Sequence, residues 1–380
     1  MIAKERVSLR KGFVILDMTT GADTSRTATQ QNIKFISGLL KSQNAFHCVG
    51  IPQIRLYSAA TYLNSRNPAI RRVHALMDRA TVSTLAELIR GRSIRRGNRT
   101  EMPWLTAAAA MAFFRVSGVD VTFNLNTYQV AAKRKHPDAT TDIEDFRIAG
   151  MLEAQEWLDL SVGNKDRLNN ASVAAARSRT TAPDVQKSSF TQTLSLWNMY
   201  YVYALKLLEL YREPGLTGME RIDRFYKWQL QEAIFSSICS LWALFLLSDA
   251  PVSKSFKNLS AMTPDKTKAA LENNVWDMVT LQQLKANISE RKNTWILCTV
   301  DKDIQDIAAC AFPVIDREGT LKRSLSQLYD ARHVNPILSL YLELEQTAKL
   351  PVGRDSHAEN FFRNLGRTQS GLEQKLGFSR

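Results

Sequence analysis

The sequence predicts an α/β fold in which a parallel sheet is combined with a larger helical part. Two observations concern strands: the mostly apolar residues 295–300 run straight into Asp301, and the apolar residues 13–16 run straight into Asp17. The third concerns helices, because residues 194–247 place aromatic and aliphatic side chains at helical spacing. Short buried strands that end in acids, combined with helical segments, are typical of α/β proteins.

Several other elements follow from local patterns. We expect helices at residues 27–41, 263–288 and 304–310 and in the alanine-rich segment 104–114, and strands within 49–57 and 119–125. Residues 69–96 predict a helical stretch broken once near residues 81–84, where Ser83 or Thr84 can cap its second part. The helix at 263–288 has the clearest start, since Thr263 can cap it, Pro264 suits its first position and Asp265 lies in its first turn. Asp277 falls on a polar side of that helix.

Composition limits the kinds of partner that the chain can bind and the cellular compartment in which we expect it. With 380 residues, 44% of them apolar, the chain is long enough for two domains, or for one domain with a large insertion, and can form a real core. A net charge of +13 favours a polyanion such as nucleic acid. The four cysteines form no C-x-x-C pair, which suits reduced thiols in the cytoplasm. The longest apolar run, residues 233–247, is shorter than the roughly 20 residues that span a bilayer, so we expect no membrane partner.

Acids at strand ends predict a metal-dependent site. Because parallel strands end at one edge of a sheet, Asp17, Asp301 and Asp303 can share a cleft there. Carboxylates in one cleft repel each other unless a divalent cation neutralises them, and oxygen ligands suit Mg²⁺ or Mn²⁺. Such ions near a basic surface are suited to phosphodiester hydrolysis. The alternative is that each aspartate only caps a helix.

Arginines are concentrated in residues 90–99, just after Glu87. They can hold a phosphate backbone beside a carboxylate site, or they can form a solvated helix end, and the sequence leaves both interpretations open. On the first interpretation the nucleic-acid-binding residues are the four arginines and one lysine Arg90, Arg92, Arg95, Arg96 and Lys302.

Four segments together resemble the acidic motifs of PIN-like domains: Ile15-Leu16-Asp17, residues 82–91 around Glu87, Asn274-Val275-Trp276-Asp277, and residues 297–303. The resemblance implies a compact α/β metal-dependent nuclease, mostly acting on RNA and common in toxin–antitoxin and antiviral defence systems. It makes Asp17, Glu87, Asp277 and Asp301 catalytic, with Asp303 as a fifth acid, and gives the metal ligands as Asp17, Asp277 and Asp301. Glu144 or Asp142 is the alternative second acid.

The resemblance also implies an organisation of the chain. Residues 1–100 and 263–320 would form the two parts of the PIN-like core, residues 101–262 a mainly helical insertion, and residues 321–380 a helical basic tail. The expected function is Mg²⁺- or Mn²⁺-dependent hydrolysis of RNA phosphodiesters, as a toxin or antiphage effector. An inhibitor or sensor protein and a homo-oligomer are compatible partners. The alternative is a non-catalytic nucleic-acid- or partner-binding protein on the same scaffold.

Overall fold

The computed structural model describes residues 24–49, 51–63, 73–123, 137–180, 190–247, 263–289, 293–312, 317–349 and 354–378. Contacts divide the chain into two compact units, residues 1–185 with 287–301, and residues 186–286 with 302–380. These units do not coincide with the four predicted segments. The predicted insertion is divided because the strand Asp120–Phe123 pairs with the strand Val73–Met77, which brings residues after 100 into the first unit.

The first unit contains a small sheet and a set of helices. In chain order its elements are α1 (Thr24–Ser42), β1 (Phe46–Cys48), α2 (Gln53–Leu56), α3 (Ala59–Leu63), β2 (Val73–Met77), α4 (Arg79–Ile89), β3 (Arg95–Arg96), β4 (Arg99–Thr100), α5 (Met102–Ser117), β5 (Asp120–Phe123), α6 (Pro137–Met151), α7 (Ala154–Ser161), α8 (Asn170–Ser178) and β6 (Thr294–Cys298).

The main sheet has the strand order β1-β6-β2-β5. Strands β6, β2 and β5 are parallel, with Ala75 of β2 opposite Ile296 of β6 and Val121 of β5. The α/β class is therefore confirmed, but the sheet is mixed rather than parallel, because the edge strand β1 runs antiparallel to β6. The carboxyl ends of β2 and β6 meet at one edge of this sheet.

Helices pack on the sheet through apolar faces. The alanine-rich α5 is buried from Thr106 to Phe114 and packs against α1 and α7, since small side chains allow close approach. Phe46 of β1 stacks on Tyr57 and Phe114 with ring centroids 5.2 and 4.8 Å apart. Helix α4 packs against α5 and α6. This packing holds both ends of α4, where the acidic and basic residues discussed below lie.

The second unit is helical in its described residues. It contains α9 (Phe190–Arg212), α10 (Gly218–Gln231), α11 (Ser237–Leu246), most of α12 (Pro264–Ser289), α13 (Lys302–Ala311), α14 (Arg317–Leu328), α15 (Ala331–Lys349) and α16 (Arg354–Lys375). Three of its aromatic side chains, Tyr203, Phe225 and Trp228, are buried against one another. They form a core, which leaves these rings unavailable for stacking on nucleic-acid bases.

Two local predictions are wrong. The segment 49–57 forms the short helix α2 after Pro52, and the strand lies just before it, at β1. The first part of the segment 69–96 is not helical, because residues 73–77 form β2, which is fixed as a strand by pairing with both β5 and β6. The helix of this segment begins after Asp78, whose side chain accepts a hydrogen bond from the Thr81 amide at 2.8 Å, and not at Ser83 or Thr84.

Candidate functional site

The carboxyl end of β6 delivers Asp301 to the edge of the sheet, as the sequence predicts. The turn after the strand is fixed by hydrogen bonds: the Thr299 amide donates to the Ala45 carbonyl at 3.0 Å, and the Val300 amide donates to Thr81 Oγ1 at 3.2 Å. The Asp301 amide donates to Thr299 Oγ1 at 3.0 Å. The Asp301 side chain is half-buried. Its backbone position is therefore set by the strand and by two threonine hydroxyls.

A second carboxylate meets this turn from the neighbouring strand. Asp78 follows β2 directly, is only 1% exposed, and accepts a hydrogen bond from Thr299 Oγ1 at 2.6 Å through Oδ2. Its backbone amide donates to the Cys298 carbonyl at 3.1 Å. The Thr299 hydroxyl thus donates to Asp78 while accepting from the Asp301 amide. We call Asp78 and Asp301 the acid pair.

Burial is the main influence on the chemistry of Asp78. The pKa of this carboxyl is raised from 3.8 to about 6: burial is the largest cause, the hydrogen bonds from Thr299 and Thr81 act in the opposite direction, and the nearby charge of Asp301 adds to the rise. Desolvation penalises the charged form because few water molecules remain to solvate it. A cation beside the acid pair would relieve both the burial penalty and the repulsion.

Sequence reasoning missed Asp78. The signal that could have found it was present, since Val73-His74-Ala75-Leu76-Met77 is a short apolar run that ends in an aspartate, like the run before Asp301. The run was assigned to a longer helix because His-Ala-Leu-Met also suits a helix.

The predicted acid Glu87 lies elsewhere on α4. Nine residues separate it from Asp78, which places it about 13 Å further along the helix axis at 1.5 Å per residue. Its Oε2 accepts a hydrogen bond from Trp104 Nε1 at 3.1 Å and forms an ion pair with Arg92 Nη1 at 3.0 Å. The Arg92 guanidinium also lies 4.1 Å from the centre of the Trp104 ring. The structure therefore does not bring Glu87 to the acid pair.

The alternative second acids, Asp142 and Glu144, lie on α6. Asp142 Oδ1 pairs with Arg90 Nη2 at 2.5 Å, and Asp145 Oδ2 pairs with Arg90 Nε at 2.7 Å. Ser83 Oγ donates a hydrogen bond to Asp142 at 3.0 Å. Glu144 is exposed. These contacts join α4 to α6.

The Arg90 cluster, defined as Arg90, Asp142 and Asp145, balances two opposing influences. Burial would lower the pKa of Arg90, but the hydrogen bonds and charges of both aspartates outweigh it and raise that pKa. For Asp145, burial outweighs the help of Arg90 and raises the pKa of the carboxyl. The ion pairs are formed, but at the cost of desolvating Asp145. Arg90 is thereby committed to a structural contact.

The remaining predicted residues fall into three groups. Asp17 lies outside the described residues. Asp277 is half-buried in the middle of α12, within the second unit, and Lys302 and Asp303 are the first two residues of α13, in the same unit. Arg95 and Arg96 are exposed on β3 in the first unit. Of the two predicted catalytic acids that the structure describes in the first unit, Glu87 and Asp301, it is Asp301 that lies at the carboxyl edge of the sheet.

The sequence predicts a divalent metal ion at this edge of the sheet. Within the described ranges no group of three or more His, Cys, Asp or Glu side chains could hold a metal ion. The carboxylates that the turn after β6 brings together in the described part are Asp78 and Asp301. That number and chemistry fit Mg²⁺, which commonly keeps several waters and binds through one or two carboxylates together with substrate phosphates.

Comparisons of the chain with protein-family models, curated proteins and solved structures found no match. None of the helices in the described part is both long and apolar enough to cross a lipid bilayer.

Proposed function

We propose that this chain is a metal-dependent nuclease that hydrolyses phosphodiester bonds, with RNA as the favoured substrate. We propose further that the acid pair, Asp78 and Asp301, is its reactive centre. One observation carries the proposal: two aspartates follow adjacent parallel strands and are joined through Thr299 at the carboxyl edge of the sheet. The Thr299 hydroxyl donates a hydrogen bond to the Asp78 carboxylate and accepts one from the Asp301 amide. Ligands of open α/β sheets bind at that edge.

The environment of Asp78 supports a role beyond capping. Asparagine, serine or threonine can cap a helix about as well as aspartate. None of them ionises, whereas Asp78 has a pKa raised to about 6 by burial and so resists ionisation. A buried aspartate at a strand end is therefore costly as a cap alone, and perturbed carboxylates of this kind are typical of functional sites.

The surrounding residues orient the two acids. The Thr299 hydroxyl fixes one oxygen of Asp78, and the Thr81 amide fixes the other. Asp301 lies on a turn that is fixed by hydrogen bonds to the hydroxyls of Thr81 and Thr299, and its side chain is half-buried. A divalent ion held by both acids would supply positive charge to a substrate phosphate and lower the pKa of water. The two acids themselves would hold that ion at the carboxyl edge of the sheet.

The choice of RNA over DNA rests on the resemblance to PIN-like domains. Binding of either nucleic acid is supported by the net charge of +13. A toxin or antiphage role and an inhibitor or sensor partner are proposed on the same resemblance.

A non-catalytic nucleic-acid-binding protein is the second candidate. It is favoured by the finding that the described residues supply two acids rather than a group of three. On that interpretation the arginines of the first unit bind the phosphate backbone, and Asp78 and Asp301 serve only the fold.

Cleavage of a labelled 20-nucleotide RNA by the full chain, with Mg²⁺, Mn²⁺ or EDTA, distinguishes the two candidates. We expect metal-dependent cleavage that falls at least about a hundredfold in Asp301→Asn and in Asp78→Asn, a magnitude typical for loss of one charge-stabilising group. Asp120→Asn is the matched control, because Asp120 begins β5 at the opposite edge of the sheet. Glu87→Gln should also cut at nearly the normal rate.

Three outcomes would contradict the proposal or redirect it. Cleavage by Asp301→Asn at the normal rate would exclude the acid pair as the centre. A loss confined to Glu87→Gln would restore the sequence-based assignment. No cleavage of RNA or DNA with either metal, together with binding that persists in EDTA, would favour the non-catalytic candidate.

A further inference from the structure

The short hairpin β3–β4 separates its arginines onto two faces. Side chains alternate between faces along a strand, so Arg95 and Arg96 point in opposite directions. Arg95 Nε pairs with Asp166 Oδ1 at 3.4 Å, on the side of the segment that follows α7. Arg96 and Arg99 are opposite each other in the register and therefore share the other face. We call Arg96 and Arg99 the arginine clamp.

The clamp places two like charges side by side. Directly opposed residues of an antiparallel pair have Cβ atoms about 4.5–5.5 Å apart, where like charges are destabilising. Both arginines are exposed, and none of the ion pairs found among the described residues involves either of them. An anion bound between the two guanidiniums would remove this repulsion, and two arginines can each donate paired hydrogen bonds to phosphate oxygens.

The base of the hairpin is firmly held. Ile94 is buried, its amide donates to the Asp166 carbonyl at 2.9 Å, and its carbonyl accepts from the Glu101 amide at 2.8 Å. At the tip, Gly97 has φ of +62°, which suits the first central position of a type II′ turn. The clamp is therefore presented on a pre-formed support, which lowers the entropy lost on binding.

We propose that Arg96 and Arg99 form a binding site for the phosphodiester backbone of a nucleic acid. The site is distinct from the acid pair and does not depend on catalysis. It rests on the proposed function only for the class of partner. Arg90 and Arg92, which the sequence assigned to the same task, are instead engaged with Asp142, Asp145 and Glu87.

Binding of the full chain to a fluorescein-labelled 20-nucleotide oligouridylate, measured in EDTA over a series of salt concentrations, tests the clamp. Arg96→Gln/Arg99→Gln should bind at least about tenfold more weakly, as expected when charged hydrogen bonds are lost. The slope of log K against log salt should become shallower by about 1.4, or about 0.7 per lost phosphate contact. Lys34→Gln/Arg55→Gln removes the same charge from exposed positions on α1 and α2 and should change affinity less than threefold.

Two further variants separate geometry from charge. Arg96→Lys/Arg99→Lys keeps the charge and should keep the salt slope while losing part of the affinity. Gly97→Ala keeps both arginines but strains the turn, since a Cβ there meets no neighbour yet the backbone conformation disfavours alanine. It should weaken binding severalfold.

The proposal is overturned if the glutamine pair binds like the unmodified chain, if the Lys34/Arg55 control loses as much affinity, or if the chain does not bind the oligouridylate in EDTA. Because no metal is present, failure of cleavage leaves these results unaffected. Conversely, unchanged RNA affinity in Arg96→Gln/Arg99→Gln, with metal-dependent cleavage of short RNA by the unmodified chain, would contradict the clamp and leave the acid pair in place.

Discussion

The two ends of α4 use aspartate and glutamate in opposite ways. At the amino end, Asp78 is buried beside Asp301, and its contacts in the structure are neutral hydrogen-bond donors. At the carboxyl end, Glu87, Asp142 and Asp145 each contact an arginine within 3.0 Å. The comparison teaches that the groups around an acidic side chain decide its role. An acid paired with arginine stabilises the fold, whereas an acid that contacts only neutral donors keeps a charge that a cation can neutralise.

Neutralising Asp78 should produce the largest change in stability. The folded-state pKa of about 6 lies above the unfolded value of 3.8, so the folded chain holds this proton more tightly, and stability from this group is lost as pH rises from about 4 to 6. Asp78→Asn cannot ionise and can still accept from the Thr81 amide. We expect it to match the unmodified chain near pH 4 and to exceed it by on the order of 3 kcal/mol at pH 7.5.

Urea unfolding in EDTA at pH 4, 6 and 7.5 measures this difference. A variant that gains stability while losing cleavage would show that Asp78 serves activity at the expense of the fold. Equal stability at all three pH values would mean that Asp78 carries no buried charge, and the contrast between the two ends of α4 would then fail.

Replacing Arg90 at the carboxyl end of α4 should lower the stability of the fold, by less than Asp78→Asn raises it. Arg90→Met removes the guanidinium that pairs with Asp142 and Asp145, whose side chains are only 12% and 6% exposed. Asp145 keeps the weaker ion pair with Arg177, at 3.7 Å. Because Arg90 itself is 40% exposed, we discount the usual cost of a broken buried pair to about 2 kcal/mol of unfolding free energy.

Arg92→Met is the matched control for that experiment. It breaks an ion pair whose partners are 44% and 40% exposed, so its cost should stay below about 1 kcal/mol. Urea unfolding followed by circular dichroism compares the two variants. If Arg92→Met were the more damaging, the Arg90 cluster would not be what joins α4 to α6.

The smallest effect is expected at Trp104. Trp104→Phe keeps an aromatic ring under Arg92 but removes the Nε1–H bond to Glu87. We expect a loss of about 1 kcal/mol or less in unfolding free energy, the typical value of one such hydrogen bond. A double variant with Arg92→Met should be less damaging than the sum of the two single losses, because the three side chains contact one another. Full additivity would show that they act independently.

Secondary structure was predicted correctly where a segment contains a recognisable start or a regular pattern of apolar residues. The Pro264 start predicted α12, the alanine-rich pattern predicted α5, and the apolar run before Asp301 predicted β6. Residues 73–77 failed because their composition suits a helix, and they become a strand only by pairing with β5 and β6. The PIN-like core, with Asp17 and Asp277 in it, stays a prediction.

By itself the sequence determined that Asp301 follows a buried strand, that the chain is basic, and that its arginines cluster after α4. These features depend on neighbouring residues and on composition. Only the tertiary structure decided that Asp78 is the acid beside Asp301, because the Thr299–Asp78 hydrogen bond joins positions 221 residues apart. It also decided which arginines are committed to ion pairs and which share the exposed face of a hairpin. Long-range strand pairing and helix packing set those contacts, and neither is encoded in any local pattern.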